Sequence, residues 1–224
     1  MNSIKILKYG FYKTKLTYNR YYIIIYINIR KTIKNADDFK NEVKVMMTRA
    51  ECLSVYGSDY YIKKKIKDGE LYKISKGVYS KKRYIPELAV VAYKYNNAVV
   101  TMKSAFYIYE LTDVVPDKCD LATTRDAAKI SDKSVKQYFV QDDFFRDGIE
   151  TVNYKGYDIN IYSKERMLIE LVRYKSKLPF DYYKEILLNY RKIIPQLNIQ
   201  KIQDIALEAP KSNKILEILQ LEVF

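Results

Sequence analysis

The sequence contains no histidine, and this absence removes several kinds of catalytic and metal site. A Ser/His/Asp triad and a Cys/His pair both need an imidazole, and so does a His-ligated zinc site. Only six glycines are present in 224 residues, and none belongs to a glycine-rich loop that could bind phosphates. The sequence therefore predicts no nucleophilic enzyme of these types and no cofactor.

Carboxylates remain as candidates for chemistry, because they can hold magnesium for phosphoryl transfer without histidine. Two adjacent pairs occur, Asp37-Asp38 and Asp142-Asp143. The first pair stands where a helix N-cap belongs and the second in a polar turn before Phe144, so we interpret both as structural. We predict no catalytic residue, no metal site and no enzyme; a magnesium-dependent nucleic-acid-processing enzyme is the alternative.

Cysteines and long apolar runs are also scarce. The two cysteines, Cys52 and Cys119, fall in a predicted helix and a predicted strand of different domains. We expect buried free thiols in a reducing compartment. The apolar run YYIIIYINI near the start is far shorter than the ~20 residues of a membrane-spanning helix, and no cleavage site follows it. These features predict a cytoplasmic protein with no membrane partner.

The positive charge is confined to one end of the chain. The whole sequence has 40 basic and 27 acidic residues, a net charge of +13. Residues 1–85 contain 20 basic and seven acidic residues, whereas residues 86–224 contain 20 of each. This asymmetry predicts a polyanion-binding end joined to a neutral domain with another task. Nucleic acid and an anionic membrane are the candidate partners, and a basic tail without a specific target is the alternative.

Residues 1–35 form a segment of their own, with eight basic residues and no acidic ones. The central stretch has strand propensity, but no turn follows that would make a hairpin. The Lys, Ile, Tyr and Asn bias is typical of translated AT-rich intergenic DNA. We interpret the segment as a basic extension, either an arm on DNA or a mis-assigned start, and assign it no function.

Residues 36–85 show the pattern of three short helices. Asn35 to Asp38 can cap a first helix. Thr48 caps the second helix, and Gly57 ends it. The residues expected to be buried are Phe39, Val43 and Met46 in the first helix and Ala50, Leu53 and Val55 in the second.

The third helix of this region begins after Ser58, which is a suitable N-cap, and ends at Asp68-Gly69. Ile62 and Ile66 are four residues apart and face inward. At 100° per residue, the opposite face presents Tyr60, Lys64 and Lys67, with Lys63 and Lys65 on its flanks. ELYKI and GVYS then predict two strands around a Ser75-Lys76-Gly77 turn.

Three helices followed by a β-hairpin predict a winged helix-turn-helix that binds DNA. The third helix would enter the major groove, its first backbone amides would meet a phosphate, and the hairpin would be the wing. The predicted DNA-binding residues are Arg49, Ser58, Tyr60, Lys63, Lys64, Lys67, Lys73, Lys76, Lys81 and Lys82. The alternative is a protein-docking module with a solvated basic face. Since the third helix lacks Arg, Asn and Gln, it predicts no base specificity.

Residues 86–224 alternate helices and strands. PELAVVAYKY and KSAFYIYELT predict helices, and CDLATT, VKQYFVQ and GYDINIYS predict strands. SKERMLIELVRYK predicts a helix capped by Ser163, with Arg166 and Glu170 four residues apart and Met167, Leu168, Leu171 and Val172 inside. Three further helices are predicted at Phe180–Arg191, Ile199–Glu208 and Lys211–Leu221. The fold class is α+β, with a mixed α/β second domain and a helical C-terminal end.

Residues 36–224 resemble the AbiEi antitoxins of type IV toxin–antitoxin systems. The resemblance rests on three segments in order: DGELYKISKGVYS, SAFYIYELTDVVPDKCDLAT and GYDINIYSKERMLIEL. Family members more often have Arg-Thr where this chain has Arg166-Met167, and Asp where it has Glu170.

The resemblance implies a phage-defence (abortive infection) protein with two tasks. A winged helix at 36–85 would bind inverted repeats in the promoter of its own operon as a transcriptional repressor, with two protomers on two half-sites. An antitoxin domain at 86–224 would counteract a nucleotidyltransferase-like toxin without a stable complex. The alternative is a winged-helix regulator whose second domain senses a ligand or mediates dimerisation.

Overall fold

The computed structural model describes residues 44–224. The extension at 1–35, the Asp37-Asp38 pair and the first predicted helix through Val43 lie outside the described residues. Met46 belongs to a short strand, β1 (Met46–Thr48), so the prediction of a helical Met46 is wrong. Residues 48–224 form one compact unit.

Two short helices follow β1 in the described part of the chain, α1 (Arg49–Tyr56) and α2 (Asp59–Lys67). The predicted ends of both helices are confirmed, since Thr48 and Ser58 are the N-caps and Gly57 ends α1 in a left-handed conformation with φ 82°. Burial within α1 differs from the prediction, because Cys52 is buried whereas Ala50 and Val55 are exposed. Because α1 has only two turns, a single position faces fully inward.

The predicted hairpin is also present. Strands β2 (Tyr72–Ser75) and β3 (Val78–Ser80) pair antiparallel, with Lys73 opposite Tyr79 and an irregularity between Lys73 and Ser75. Gly77 makes the turn with φ 82°. Leu71, just before β2, and Val78 and Tyr79 of β3 are buried.

The rest of the unit is built on a five-stranded mixed sheet. Its strands, in spatial order, are β6 (Val135–Val140), β5 (Cys119–Thr124), β4 (Val99–Val100), β8 (Tyr157–Tyr162) and β7 (Ile149–Tyr154). β5 is parallel to β6 and β4 is parallel to β8, while β4–β5 and β7–β8 are antiparallel. The three predicted strands are confirmed; β4 and β7 are additional.

Helices cover this sheet and extend beyond it. They are α3 (Glu87–Lys94), α4 (Met102–Ile108), α5 (Asp142–Phe145), α6 (Lys164–Arg173), α7 (Phe180–Ile193), α8 (Ile199–Glu208) and α9 (Ser212–Glu222). The predicted α+β class and the helical C-terminal end are confirmed. The Asp142-Asp143 pair begins α5, so its placement in a polar turn is wrong, although its role remains structural: Asp142 accepts a hydrogen bond from the Arg125 backbone N–H (3.2 Å).

Helix α6 lies at the centre of the hydrophobic core, where it contacts α4, α7, α8 and α9. Ser163 caps it as predicted, accepting a hydrogen bond from the Arg166 backbone N–H (3.4 Å). Every residue from Arg166 to Val172 is buried. The predicted inward residues are confirmed, and Arg166 and Glu170 are buried with them.

The buried Arg166 guanidinium is surrounded by polar and aromatic groups, although its Nη2, 2.9 Å from Glu170, makes no hydrogen bond. Its Nε donates to Glu170 (3.0 Å), and its Nη1 donates to the carbonyls of Phe144 (2.7 Å) and Asp147 (3.0 Å). The guanidinium carbon lies 3.4 Å from the Phe144 ring centroid and 4.5 Å from that of Tyr162. Burial lowers the pKa of Arg166, and Glu170 opposes this effect. These contacts give Arg166 a structural role.

The fold also bears on the predictions for the cysteines and for a membrane-spanning helix. Cys52 and Cys119 are buried free thiols, as predicted. Within residues 44–224, no helix combines the length and the apolar character needed to cross a bilayer.

Candidate nucleic-acid interface

The orientation of α2 depends on hydrogen bonds at the start of both short helices. At α1, the Thr48 hydroxyl accepts from the Glu51 N–H (3.2 Å), and the Glu51 carboxylate accepts from the Thr48 N–H (2.7 Å). This is a capping box, which satisfies two backbone donors reciprocally. At α2, the Ser58 hydroxyl accepts from the Tyr61 N–H at 3.5 Å. Ser58, predicted to meet DNA, therefore caps its own helix.

The outer face of α2 is aromatic and basic. Ile62 is buried and Ile66 half-buried, whereas Tyr60, Lys63, Lys64 and Lys67 are exposed, as the helical period predicts. Tyr60 is 70% exposed, and its ring meets that of Tyr61 edge-on with centroids 5.4 Å apart. The last turn is rich in lysine, which is favourable at the negative end of a helix dipole.

Arg49, one of the predicted DNA-binding residues, forms an ion pair within the protein. Its Nη2 lies 2.6 Å from an oxygen of Asp59, the first residue of α2. This hydrogen bond is the main reason that the pKa of Arg49 is raised above its ordinary value. The pair joins the starts of the two helices. The Arg49 side chain is therefore already paired. It compensates the charge of Asp59 at the N-terminal end of α2, which is the end predicted to face a phosphate.

A second acidic residue near the basic surface, Glu70, is also paired. Glu70 lies 2.6 Å from the Lys65 ammonium, which is half-buried on the flank of α2. Over residues 48–85 there are ten basic and four acidic residues. Among the described residues, six exposed lysines have no ion-pair partner in this region: Lys63, Lys64, Lys67, Lys73, Lys76 and Lys82.

The hairpin is fixed next to α1 by a backbone contact. The Arg49 N–H donates to the Gly77 carbonyl (3.2 Å), so the turn that presents Lys76 is tied to the first residue of α1. Lys73 and Lys76 are both exposed. The predicted wing lysines are thus held on a short, anchored hairpin.

The segment after β3 continues the basic surface toward the second part of the chain. Lys81, Lys82 and Arg83 are exposed. The Lys82 N–H donates to the Ser80 hydroxyl (2.8 Å), and its ammonium lies 5.7 Å from the centroid of the Tyr157 ring in β8. Tyr157 adjoins the β7–β8 turn, so this turn lies beside the basic segment.

A half-buried hydrogen bond joins α1 to α3. The Tyr93 hydroxyl donates to the Glu51 carboxylate (2.8 Å), the same group that completes the capping box. Burial first, and this hydrogen bond second, raise the pKa of Tyr93. The link connects the two short helices to the α3 region within the same compact unit.

One titratable group outside the basic surface was not predicted. Asp120 at the start of β5 is buried, and its carboxylate accepts from the Lys103 backbone N–H (2.9 Å) near the beginning of α4. Burial raises the pKa of Asp120 to about 6. Residues 44–224 contain no group of three or more His, Cys, Asp or Glu suited to a metal ion.

The comparisons with known proteins found no match, either among the models of protein families or among curated proteins.

Proposed function

We propose that this chain is a DNA-binding antitoxin of a type IV toxin–antitoxin system that represses its own operon. Residues 36–85 would act as a winged helix-turn-helix, and residues 86–224 as the antitoxin domain. The antitoxin would counteract a nucleotidyltransferase-like toxin without forming a stable complex. The protein would act in the cytoplasm, without a cofactor or a catalytic site.

DNA binding is supported above all by the exposed lysines of α2 and the anchored hairpin beside it. A nine-residue helix with an apolar inner face and a Tyr/Lys outer face has the size and charge to enter a major groove. The lysines of the hairpin are placed for adjacent phosphates. Each phosphate neutralised by such a lysine releases counterions, which makes binding strongly dependent on salt.

The ion pairs of the surface distinguish the proposed roles of its basic residues. Because Arg49 holds Asp59 and Lys65 holds Glu70, both acids are neutralised by groups that remain in place without DNA. The six lysines without ion pairs then supply the net attraction. We therefore assign phosphate contacts to Lys64, Lys67 and Lys76, and a positioning role to Arg49.

The antitoxin half of the proposal rests on the resemblance of three sequence segments to the AbiEi family. It is compatible with a second domain that has its own sheet, its own buried core and no excess of either charge. Such a domain can act on its target without a polyanion-binding surface. We therefore expect DNA binding and protection from the toxin to be separable.

The test is a paired measurement in cells that carry the promoter, the chain and the neighbouring toxin gene. The variant Lys64→Ala/Lys67→Ala/Lys76→Ala should derepress a promoter reporter and still protect cells when the toxin is induced. A matched control, Lys129→Ala/Lys133→Ala/Lys184→Ala, removes the same charge from exposed positions outside the interface and should change neither readout. Loss of protection in the first variant at a normal protein level would contradict the proposed division of tasks.

A winged-helix regulator with a ligand-sensing second domain is the second candidate. One observation favours it, namely an open cleft of about 520 Å³ among the C-terminal helices. A neighbouring gene for a nucleotidyltransferase-like protein, and protection from its product, would favour the antitoxin instead.

A further inference from the structure

A cleft in the C-terminal part of the chain combines apolar wall residues with a basic rim. It lies among α6, the 3₁₀ turn Lys175–Lys177, α7 and α9, and has a volume of about 520 Å³. This is within the ~300–1,000 Å³ typical of small-molecule sites. Its apolar lining residues are Val172, Leu178, Phe180, Tyr183, Ile215 and Ile218.

The charged residues that line the cleft are all cations: Arg173, Lys175, Lys211 and Lys214. Two of them are compensated. Arg173 donates to Glu170 (2.7 Å), and Lys175 contacts Glu222, whose carboxylate also accepts from the Tyr183 hydroxyl. Glu170 and Glu222 thereby orient the cations without themselves lining the cleft.

The other two cations remain available to a ligand. Lys211 and Lys214 are exposed, and within residues 44–224 neither has an ion-pair partner. Lys211, with a left-handed backbone conformation (φ 65°), is the N-cap of α9, and Lys214 lies in the first turn of that helix. Two free cations at one rim are what an anionic head group requires.

The apolar component of the site has an exposed aromatic ring. Phe180, the first residue of α7, lines the cleft and is 70% exposed. Ile215 and Tyr183 form buried parts of the wall. A ligand body that covers Phe180 would remove apolar surface from water, which is favourable in proportion to the area covered.

We propose that this cleft binds a small amphipathic anion, with an aromatic or aliphatic body against Phe180 and a carboxylate, sulfonate or phosphate at Lys211 and Lys214. The site is independent of the basic surface formed by α2 and the hairpin. It shares no residue with that surface, and its occupancy does not depend on whether the chain binds DNA.

The test is a fluorescence titration of the full chain with 8-anilinonaphthalene-1-sulfonate, an aromatic sulfonate, beside its uncharged analogue N-phenyl-1-naphthylamine. The native chain should bind the sulfonate saturably, with one site per chain. Lys211→Gln/Lys214→Gln should weaken binding of the sulfonate about tenfold, because each exposed ionic contact contributes up to about fivefold. Binding of the neutral analogue should not change.

Two control variants make the result specific. Lys129→Gln/Lys133→Gln removes the same charge from exposed residues outside the cleft and should leave sulfonate binding unchanged. Phe180→Ala should weaken both probes, because it removes the shared apolar contact. Equal affinity of the native and Lys211→Gln/Lys214→Gln chains for the sulfonate, or an equal loss in the control pair, would overturn the proposal.

Discussion

Replacing Asp120 with asparagine should stabilise the protein at alkaline pH and have little effect at acidic pH. Asp120 is 2% exposed, and its carboxylate accepts from the Lys103 backbone N–H (2.9 Å) and lies 3.5 Å from the Tyr138 hydroxyl. Burial raises its pKa from 3.8 to about 6, although the Lys103 hydrogen bond and the charges of Lys136 and Lys103 oppose the rise. The folded chain thus favours the neutral carboxyl.

The sign of the pH dependence follows from proton uptake. Between about pH 4 and pH 6, folded Asp120 holds a proton that the unfolded chain has released. The free energy of unfolding therefore falls as the pH rises through this window, and above it the full cost of the buried charge is present. A shift of about two units corresponds to about 3 kcal/mol, because one unit is about 1.4 kcal/mol.

Asparagine reproduces the neutral form and can still accept from Lys103 N–H. It loses the charge-assisted strength of that hydrogen bond, so we expect a net gain of about 1–2 kcal/mol at pH 8. The gain should fall toward zero near pH 4, where the native carboxyl is also neutral.

Urea unfolding followed by circular dichroism at several pH values would measure this difference. Asp113→Asn is a matched control, since Asp113 is exposed and the substitution makes the same change in charge. A gain for Asp120→Asn that is the same near pH 5 and pH 8, or a loss at both, would refute the reasoning.

Two further predictions concern the core and the domains. Gly148→Ala should destabilise the fold by about 2–4 kcal/mol, because a Cβ there would meet the Arg166 Cβ at 2.6 Å. Gly156 has a similar positive φ but open space around it, so a thermal melt of Gly156→Ala measures the cost of the backbone strain alone. Residues 36–85 should retard promoter DNA in a mobility-shift assay, whereas residues 86–224 should not, because the charge excess lies in the first part; retardation by the second fragment would contradict this partition.

Local signals explain why so much of the basic region was predictable. Thr48, Gly57 and Ser58 set the helix ends, and the spacing of Ile62 and Ile66 gave the orientation of α2. The prediction that Ala50 and Val55 are buried was wrong, because the sequence pattern does not show which face of a two-turn helix the rest of the fold covers. The Arg49–Asp59 pair joins residues ten positions apart and depends on how α1 and α2 pack, which no local pattern determines.

Residues 86–224 show the same limit at longer range. Strand β7 was not predicted. In the structure, burial alternates along this strand, and the Lys155-Gly156 turn that follows it has positive φ at both residues, as in a hairpin. The burial of Arg166 had no such signal, since its carbonyl acceptors at Phe144 and Asp147 are 22 and 19 residues away. An arginine four residues from a glutamate more often marks a solvated helix face.

The salt dependence of promoter binding tests the central claim most directly. Fluorescence anisotropy of labelled duplex would give the affinity of the native chain and of Lys64→Ala/Lys67→Ala/Lys76→Ala over a series of salt concentrations. If each lysine neutralises one phosphate, the slope of log affinity against log salt should become shallower by about 2.7, or about 0.9 per lysine. Lys76→Ala alone should account for about 0.9 and weaken binding equally on all sequences. A slope unchanged by the triple substitution would show that α2 and the hairpin do not contact the DNA backbone.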